Sequence, residues 1–127
     1  MVNKKIIKTD KAPQAIGVYS QGVETEGLIF TSGQIPLTHE GILIEGDFKA
    51  ESMQVINNIK AVLNHSGSDL SDIVKITVYL NDLSLFQKLN EVFQDFFKEN
   101  YPARSVIEVS ALPMKARIEM EAIALKK

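Results

Sequence analysis

The chain has no cysteine. That one absence removes disulfides, thiolate metal ligands and a thiol nucleophile together, and it fits a reducing compartment. Positive charge is not in excess either: 16 acidic residues face 14 basic ones, a formal net charge of -2. A nucleic-acid partner needs a basic surface to meet the phosphate backbone, and this composition supplies one only as a local patch. No apolar run approaches the ~20 residues needed to cross a bilayer. The N-terminal stretch "MVNKKIIKTDKAP" is basic but lacks the apolar segment of a signal peptide, so a cytoplasmic location is the expectation. There is no HExxH, no zinc-ligand spacing and no GxSxG elbow, which argues against metal catalysis and a Ser-His-Asp triad. Internal repeats, low-complexity stretches and linkers are also missing.

What is present is the composition of an ordinary globular domain, 45% hydrophobic and 24% charged over 127 residues, enough for one domain spanning residues 1–127 with a real core. The apolar pair in "KKIIKTDKAPQAIG" predicts an edge strand and a loop ending in Pro13 and Gly17. Two apolar runs separated by "ETEG" in "VYSQGVETEGLIFTSGQIP" predict a β-hairpin closed by Gly33 and Pro36. "LTHEGILIEGDF" reads as a further turn and short strand. From Phe48 to Ser66, Met53, Val55, Ile56, Ile59, Val62 and Leu63 recur at helical spacing, and Gly67 sits where a C-terminal glycine would stop the helix.

"DIVKITVYL" alternates and is rich in β-branched residues, the pattern of a central strand. Leu85, Phe86, Leu89, Val92, Phe93, Phe96 and Phe97 form a second helical stripe, read as core, with Asp82 or Ser84 available as cap and Pro102 beyond its end. "RSVIEV" follows as a strand. The final "ARIEMEAIALKK" has helical propensity, but Ile118, Met120, Ala122 and Ala124 alternate against Arg117, Glu119 and Glu121, so it is read as a strand. The fold class is therefore α+β: a mixed sheet with two helices on one face. If the other face carries Ile73, Tyr79, Val106 and Ile123, its exposure is costly, and a homo-oligomer is the natural remedy.

Among candidate functional residues Arg104 stands out. A guanidinium cannot shed its charge; it meets either Glu99 or Glu108 in a surface salt bridge, or a bound carboxylate or phosphate, for which the stiff approach through Pro102 favours bidentate capture. Glu119 is either a solvated strand residue or, if its strand pairs with the one after Arg104, a general base beside a bound anion. His39, in a loop, and His65, at a helix end, are read as structural. "TSGQIP" is read as a turn in which Gly33 lets the backbone come close to a neighbour.

Taken together, "YSQ", "TSGQIP", "NIKAVL", "VKITVYL", "YPARSVIEV" and "IEMEAIA" resemble the Rid family, the reactive-intermediate deaminases also called YjgF-type proteins, over about Ile6 to Leu125. The arginine of "PARS", present as Arg104, is similar to that of the deaminase-active RidA branch. The resemblance implies a chorismate-mutase-like (RidA-like) fold with a six-stranded sheet, assembled as a homotrimer with clefts between subunits. It implies hydrolysis of enamines and imines such as 2-aminoacrylate and 2-iminobutanoate to 2-keto acids and ammonia, without metal or other cofactor. Arg104 would then grip the substrate carboxylate, the Val106 backbone would touch the imine nitrogen or the water, and Glu119 would position that water. Tyr19, Ser32, Gly33 and Asn90 would line the cleft from the adjacent subunit. The chain departs from the family pattern at Val18, where proline is usual, at Val106, where cysteine is frequent, and at Glu51, where glutamine is common. Competing readings are a non-catalytic sensor of 2-keto acids and a ribonuclease or translation inhibitor, the latter opposed by the acidic balance.

Overall fold

The computed structural model describes residues 3–127; Met1 and Val2, the first residues of the basic N-terminal stretch, lie outside it. Six strands and two helices follow one another as β1 (Lys5–Ile7), β2 (Gly22–Thr25), β3 (Leu28–Thr31), α1 (Phe48–His65), β4 (Ile73–Leu80), α2 (Phe86–Phe97), β5 (Ala103–Glu108) and β6 (Ile118–Leu125). They build one sheet in the order β1-β2-β3-β6-β4-β5. Only β4 and β5, joined through α2, run parallel; every other neighbouring pair is antiparallel.

The β2–β3 hairpin turns on Glu26 and Gly27, both at positive φ (50° and 80°). A two-residue loop of that hand matches the right-handed strand twist, and its second position costs nothing for a residue without a Cβ. Helix α1 starts at the Asp47 cap, whose carboxylate accepts from the Lys49 amide, and ends at Ser66 ahead of Gly67 at φ 85°. Its inward stripe, Val55, Ile56, Ile59, Val62 and Leu63, is fully buried. Asp82 caps a short 3₁₀ turn, Leu83–Leu85, that leads into α2; α2 itself has no side-chain cap, and Ser84 donates its amide to Asp82 instead of capping. In "LTHEGILIEGDF" the expected strand shrinks to a single bridge between Leu37 and Leu43.

The last segment is a strand, as its alternation predicts. Between β3 and β4 it buries Ile118, Met120, Ala122 and Ala124 under the helices, and that burial outweighs the modest helical propensity of Ala, Glu and Met. Together with Ile76, Val78, Leu80, Leu89, Val92 and Phe93 they form one continuous core between the sheet and both helices.

The opposite face of the sheet carries no helix. Two of the four residues expected there do not lie on it. A register shift between Ile73 and Lys75 flips the phase of β4, so Ile73 is buried in the core while Val74 projects outward. Val106 pairs with Val78 and packs against the core from the helix side. Tyr79 and Ile123 do belong to the open face. They are joined by a row in which Ile6 lies beside Val23, Val23 beside Phe30, and Phe30 beside Ile123.

Candidate functional site

Arg104 is the second residue of β5, the strand at the edge of the sheet. It pairs with Ile76, so its side chain leaves on the helix-covered side and runs beneath α2. Its guanidinium carbon lies 4.7 Å from the centre of the Phe93 ring and 5.4 Å from that of Phe86. Nη2 donates to Asn90 Oδ1 at 2.8 Å. Phe86, Asn90 and Phe93 recur on one stripe of α2 at helical spacing, so a single helix face supplies the seat for the cation. The apolar stripe read as core is therefore divided: Leu89, Val92 and Phe93 are buried, while Phe86 is exposed and Phe93 does double duty.

Neither expected carboxylate meets the charge. Glu108 accepts from the Leu83 amide, and among the described residues no acidic group forms a salt bridge with Arg104. Partial burial without a counter-charge pulls the guanidinium below its ordinary range. Of its five N–H groups, the one bonded to Asn90 has a protein acceptor. Arg104 lines a cavity of about 390 Å³ together with Asn90, Phe93, Gln94, Tyr101 and Pro102. A desolvated cation with spare donors in a concave site is an arrangement suited to capturing an anion.

Val106 adds its backbone to this side. The Val109 amide bonds to the Leu80 carbonyl, so the odd-numbered residues of β5 point their amides and carbonyls toward β4, and Arg104, Val106 and Glu108 point theirs to the open edge. The Val106 N–H and C=O are therefore available to a ligand, whatever its side chain.

A second cluster forms around Glu119. This residue pairs with Tyr79 and lies on the helix-free face. Gln34 and Met120 exchange both backbone hydrogen bonds, 2.8 and 3.0 Å, which clamps residues 32–34 against β6. Gly33 is thereby pressed so close to Glu119 that a Cβ on it would overlap the carboxylate. The close neighbour expected of that glycine is the Glu119 side chain. Ser32 donates its hydroxyl to the Ser20 carbonyl, and Tyr19 shares a small hollow with Gly33, Gln34 and Pro13. Burial, and then the nearby charge of Glu121, raise the Glu119 carboxyl above its ordinary value.

The expected residues thus fall into two groups, arranged differently from the expectation. Strand β4 separates β6 from β5, so Glu119 does not reach Arg104 from a neighbouring strand. Within one chain the two side chains lie on opposite faces of the sheet. Asn90, expected across from Arg104, is bonded to it within the same chain. One group is Arg104, Asn90 and the Val106 backbone; the other is Tyr19, Ser32, Gly33 and Glu119. The aromatic seat under Arg104 was missed from sequence, although Phe86 and Phe93 at i and i+7 around Asn90 carried the signal. His39 and His65 lie outside both groups. Among the described residues no three acidic or histidine side chains come together as a metal site, and no helix is long and apolar enough to cross a membrane.

Residues 9–126 match the family model described as endoribonuclease L-PSP. A RutC family protein of Pyrococcus abyssi is 50% identical over 98% of both chains, and TdcF of Escherichia coli, a protein named after reactive intermediate deamination, is 42% identical over 97% of this chain and 98% of its own. The crystal structure of E. coli TdcF with bound serine superimposes with a TM-score of 0.92 at 40% identity, covering 97% of this chain and 99% of that one. RidA from a Psychrobacter species gives 0.92 at 45% identity over 95% and 98%. Sequence and fold agree along nearly the whole length, and the chain belongs to the Rid family of RidA- and YjgF-type proteins.

Proposed function

We propose that this protein is a hydrolytic deaminase of reactive enamines and imines, converting compounds such as 2-aminoacrylate and 2-iminobutanoate to 2-keto acids and ammonia. The observation that carries the reading is the Arg104 guanidinium: seated on two aromatic rings, bonded to Asn90, lacking a carboxylate partner and lining a cavity. A 2-imino acid brings the missing carboxylate. Its protonated imine also carries positive charge at the carbon to be attacked, so an anchored carboxylate, an aligned water and a base are sufficient.

In this reading the water oxygen adds to the imine carbon while the C=N electron pair moves to nitrogen. Glu119 takes the proton released by the water and returns it to the amine. Collapse of the carbinolamine breaks the C–N bond and expels ammonia, while the hydroxyl proton passes to Glu119, again a carboxylate, and the keto carbonyl forms. An enamine first takes a proton on its terminal carbon to become the imine. The open-edge backbone of Val106 faces the nitrogen or the water.

The two groups of residues on opposite faces support a site completed by association. Glu119, Gly33, Ser32 and Tyr19 of one copy would close over Arg104 and Asn90 of another, in a homotrimer held by the helix-free apolar face. TdcF, named a reactive intermediate deaminase and crystallised with serine, supports a small amino- or imino-acid ligand. The separation of Glu119 from Arg104 within one chain favours a second reading, a carboxylate-binding module without turnover. The endoribonuclease of the family description has less support, because a net charge of -2 and a single guanidinium in a partly apolar cavity suit a small acid better than a phosphate backbone.

The test couples the protein to a threonine dehydratase that generates 2-iminobutanoate and follows 2-ketobutyrate or ammonia release. Wild type should accelerate release, within the ~10²–10⁴-fold that a positioned base contributes, and Arg104→Ala should abolish the acceleration. Equal rates for the two proteins would sink the proposal; Arg104-dependent binding of 2-ketobutyrate by calorimetry without acceleration would establish the binding module instead.

A further inference from the structure

A polar groove of about 270 Å³ runs along α1 and shares no residue with the cavity at Arg104. Two stretches of chain far apart in sequence make its walls: Thr9 and Lys11 from the loop after β1, and Asn57, Lys60, Asn64 and His65 from α1. Asn57, Lys60 and Asn64 recur at steps of three and four, so one helix face presents them together. Ala61, small and half-buried, stands among them.

No carboxylate lines this groove, in a chain whose acidic residues outnumber its basic ones by 16 to 14. Asp10, between Thr9 and Lys11 in sequence, is exposed and not part of the lining. The salt bridges among the described residues are Lys49–Asp95, Arg117–Glu51 and Lys127–Asp72, which leaves both groove lysines without an acidic partner. The amides are uncommitted too. Asn58 bonds through its side chain to the Ile35 and Leu37 carbonyls and to Gln54, whereas its neighbour Asn57, and Asn64, form no side-chain hydrogen bond among the described residues. The carbonyls that end α1 would repel an anion, but they are already met: Lys126 Nζ donates to the Ser66 carbonyl at 2.7 Å, and the Gly67 and Ser68 amides close on the carbonyls of Asn64 and Leu63.

Lys11 stands on a fixed wall. Gln21, 4% exposed, accepts from the Thr9 amide at 2.7 Å and donates to the Thr9, Ala12 and Pro13 carbonyls at 3.1, 3.3 and 2.7 Å. The Lys11 amide in turn donates to the Thr9 hydroxyl. One buried amide thus holds the backbone on both sides of Lys11, and the entropy of ordering that wall is lost on folding, not on binding.

We infer that this groove binds a small phosphate-bearing anion, with Lys11 and Lys60 meeting its charge from the two walls and Asn57, Asn64 and His65 donating to the remaining oxygens. A phosphate monoester suits it better than a monocarboxylate. It carries about -1.5 to -2 charges and accepts from several directions, whereas ammonium groups act as point charges and offer no planar fork to a flat carboxylate.

Calorimetry on the full chain with inorganic phosphate and glycerol 3-phosphate supplies the test, with succinate as the dicarboxylate comparison. Wild type should bind both phosphates saturably, and added salt should weaken the binding. Lys11→Gln and Lys60→Gln, which alter an exposed and a half-buried side chain, should each lower affinity about fivefold, the upper range for an ion pair within reach of water. The double variant should lower it roughly 25-fold. Arg104→Ala, at the other cavity, and Lys88→Gln, an exposed lysine on α2, should leave the affinity unchanged. No saturable phosphate binding, an affinity unmoved by both groove variants, an equal loss in Lys88→Gln, or dependence on Arg104 would overturn the groove as a site. Succinate bound more tightly than glycerol 3-phosphate, with the same lysine dependence, would overturn its assignment to phosphate.

Discussion

Arg104 shows how a permanent charge is kept ready at the scale of a single side chain. Two rings and one amide oxygen hold the guanidinium without neutralising it. The residue type and the stiff "YPAR" approach were legible in sequence, and so were the alternatives of salt bridge and anion site; the observed partners remove the salt bridge to Glu99 or Glu108. Glu119 offers a sharper test, because its carboxyl is raised by burial first and by Glu121 second. A raised carboxyl stays protonated to higher pH, so a base of this kind is active only above its shifted value. The acid limb of the kcat/KM profile should therefore lie above the ordinary glutamate range, and Glu119→Gln should lose that limb along with most of the rate. A wild-type profile flat from pH 4 to 7 would contradict Glu119 as the base.

At the scale of the elements, the start of β6 is tied to the start of α1 by an ion pair that the sequence did not announce. Arg117 donates from Nε and Nη2 to the two carboxylate oxygens of Glu51, at 3.0 and 2.7 Å, above the Phe48 ring. The hydrogen bonds it donates to Glu51 hold the guanidinium above its ordinary value. This gives a role to Glu51, where glutamine is common in the resembling family. The two partners differ in exposure, 3% for the glutamate side chain and 38% for the arginine. Arg117→Met leaves a buried carboxylate unpaired and should cost about 3 kcal/mol. Glu51→Gln leaves a cation that water can reach and should cost about 1 kcal/mol. Urea denaturation of the two variants measures the asymmetry, and equal losses would contradict it. Helix α1, the hairpin and strand β6 were each readable from periodicity and turn chemistry. The bulge in β4 was not: no residue type in "DIVKITV" marks a register shift, yet it sends Ile73 inward and Val74 outward.

For the whole molecule the open question is the helix-free face. Ile6, Val23, Phe30 and Ile123 form a continuous apolar row across four strands; Leu125 is exposed beside it on β6, and Ile107 is exposed on the same face at the far edge strand β5. An apolar surface of this kind drives association. Light scattering should report the proposed trimer for wild type and a monomer for Phe30→Asp. The substitution should also remove deaminase activity while leaving Arg104 untouched, because the two residue groups would no longer meet. Full activity in a monomeric Phe30→Asp protein would show that one chain is sufficient.

By itself, the sequence determined what depends on short-range periodicity and residue chemistry: the order of strands and helices, the buried stripes, the absence of thiol chemistry, a conspicuous Arg104, and the motifs that place the chain in its family. Tertiary structure decided which strand lies beside which and which face each residue takes. Pairing joins segments tens of residues apart with no local signature, and the side-chain period of two means that a one-residue shift reverses a face. That is why Arg104 and Glu119, drawn into one pocket by reasoning along the chain, stand on opposite sides of the sheet within it.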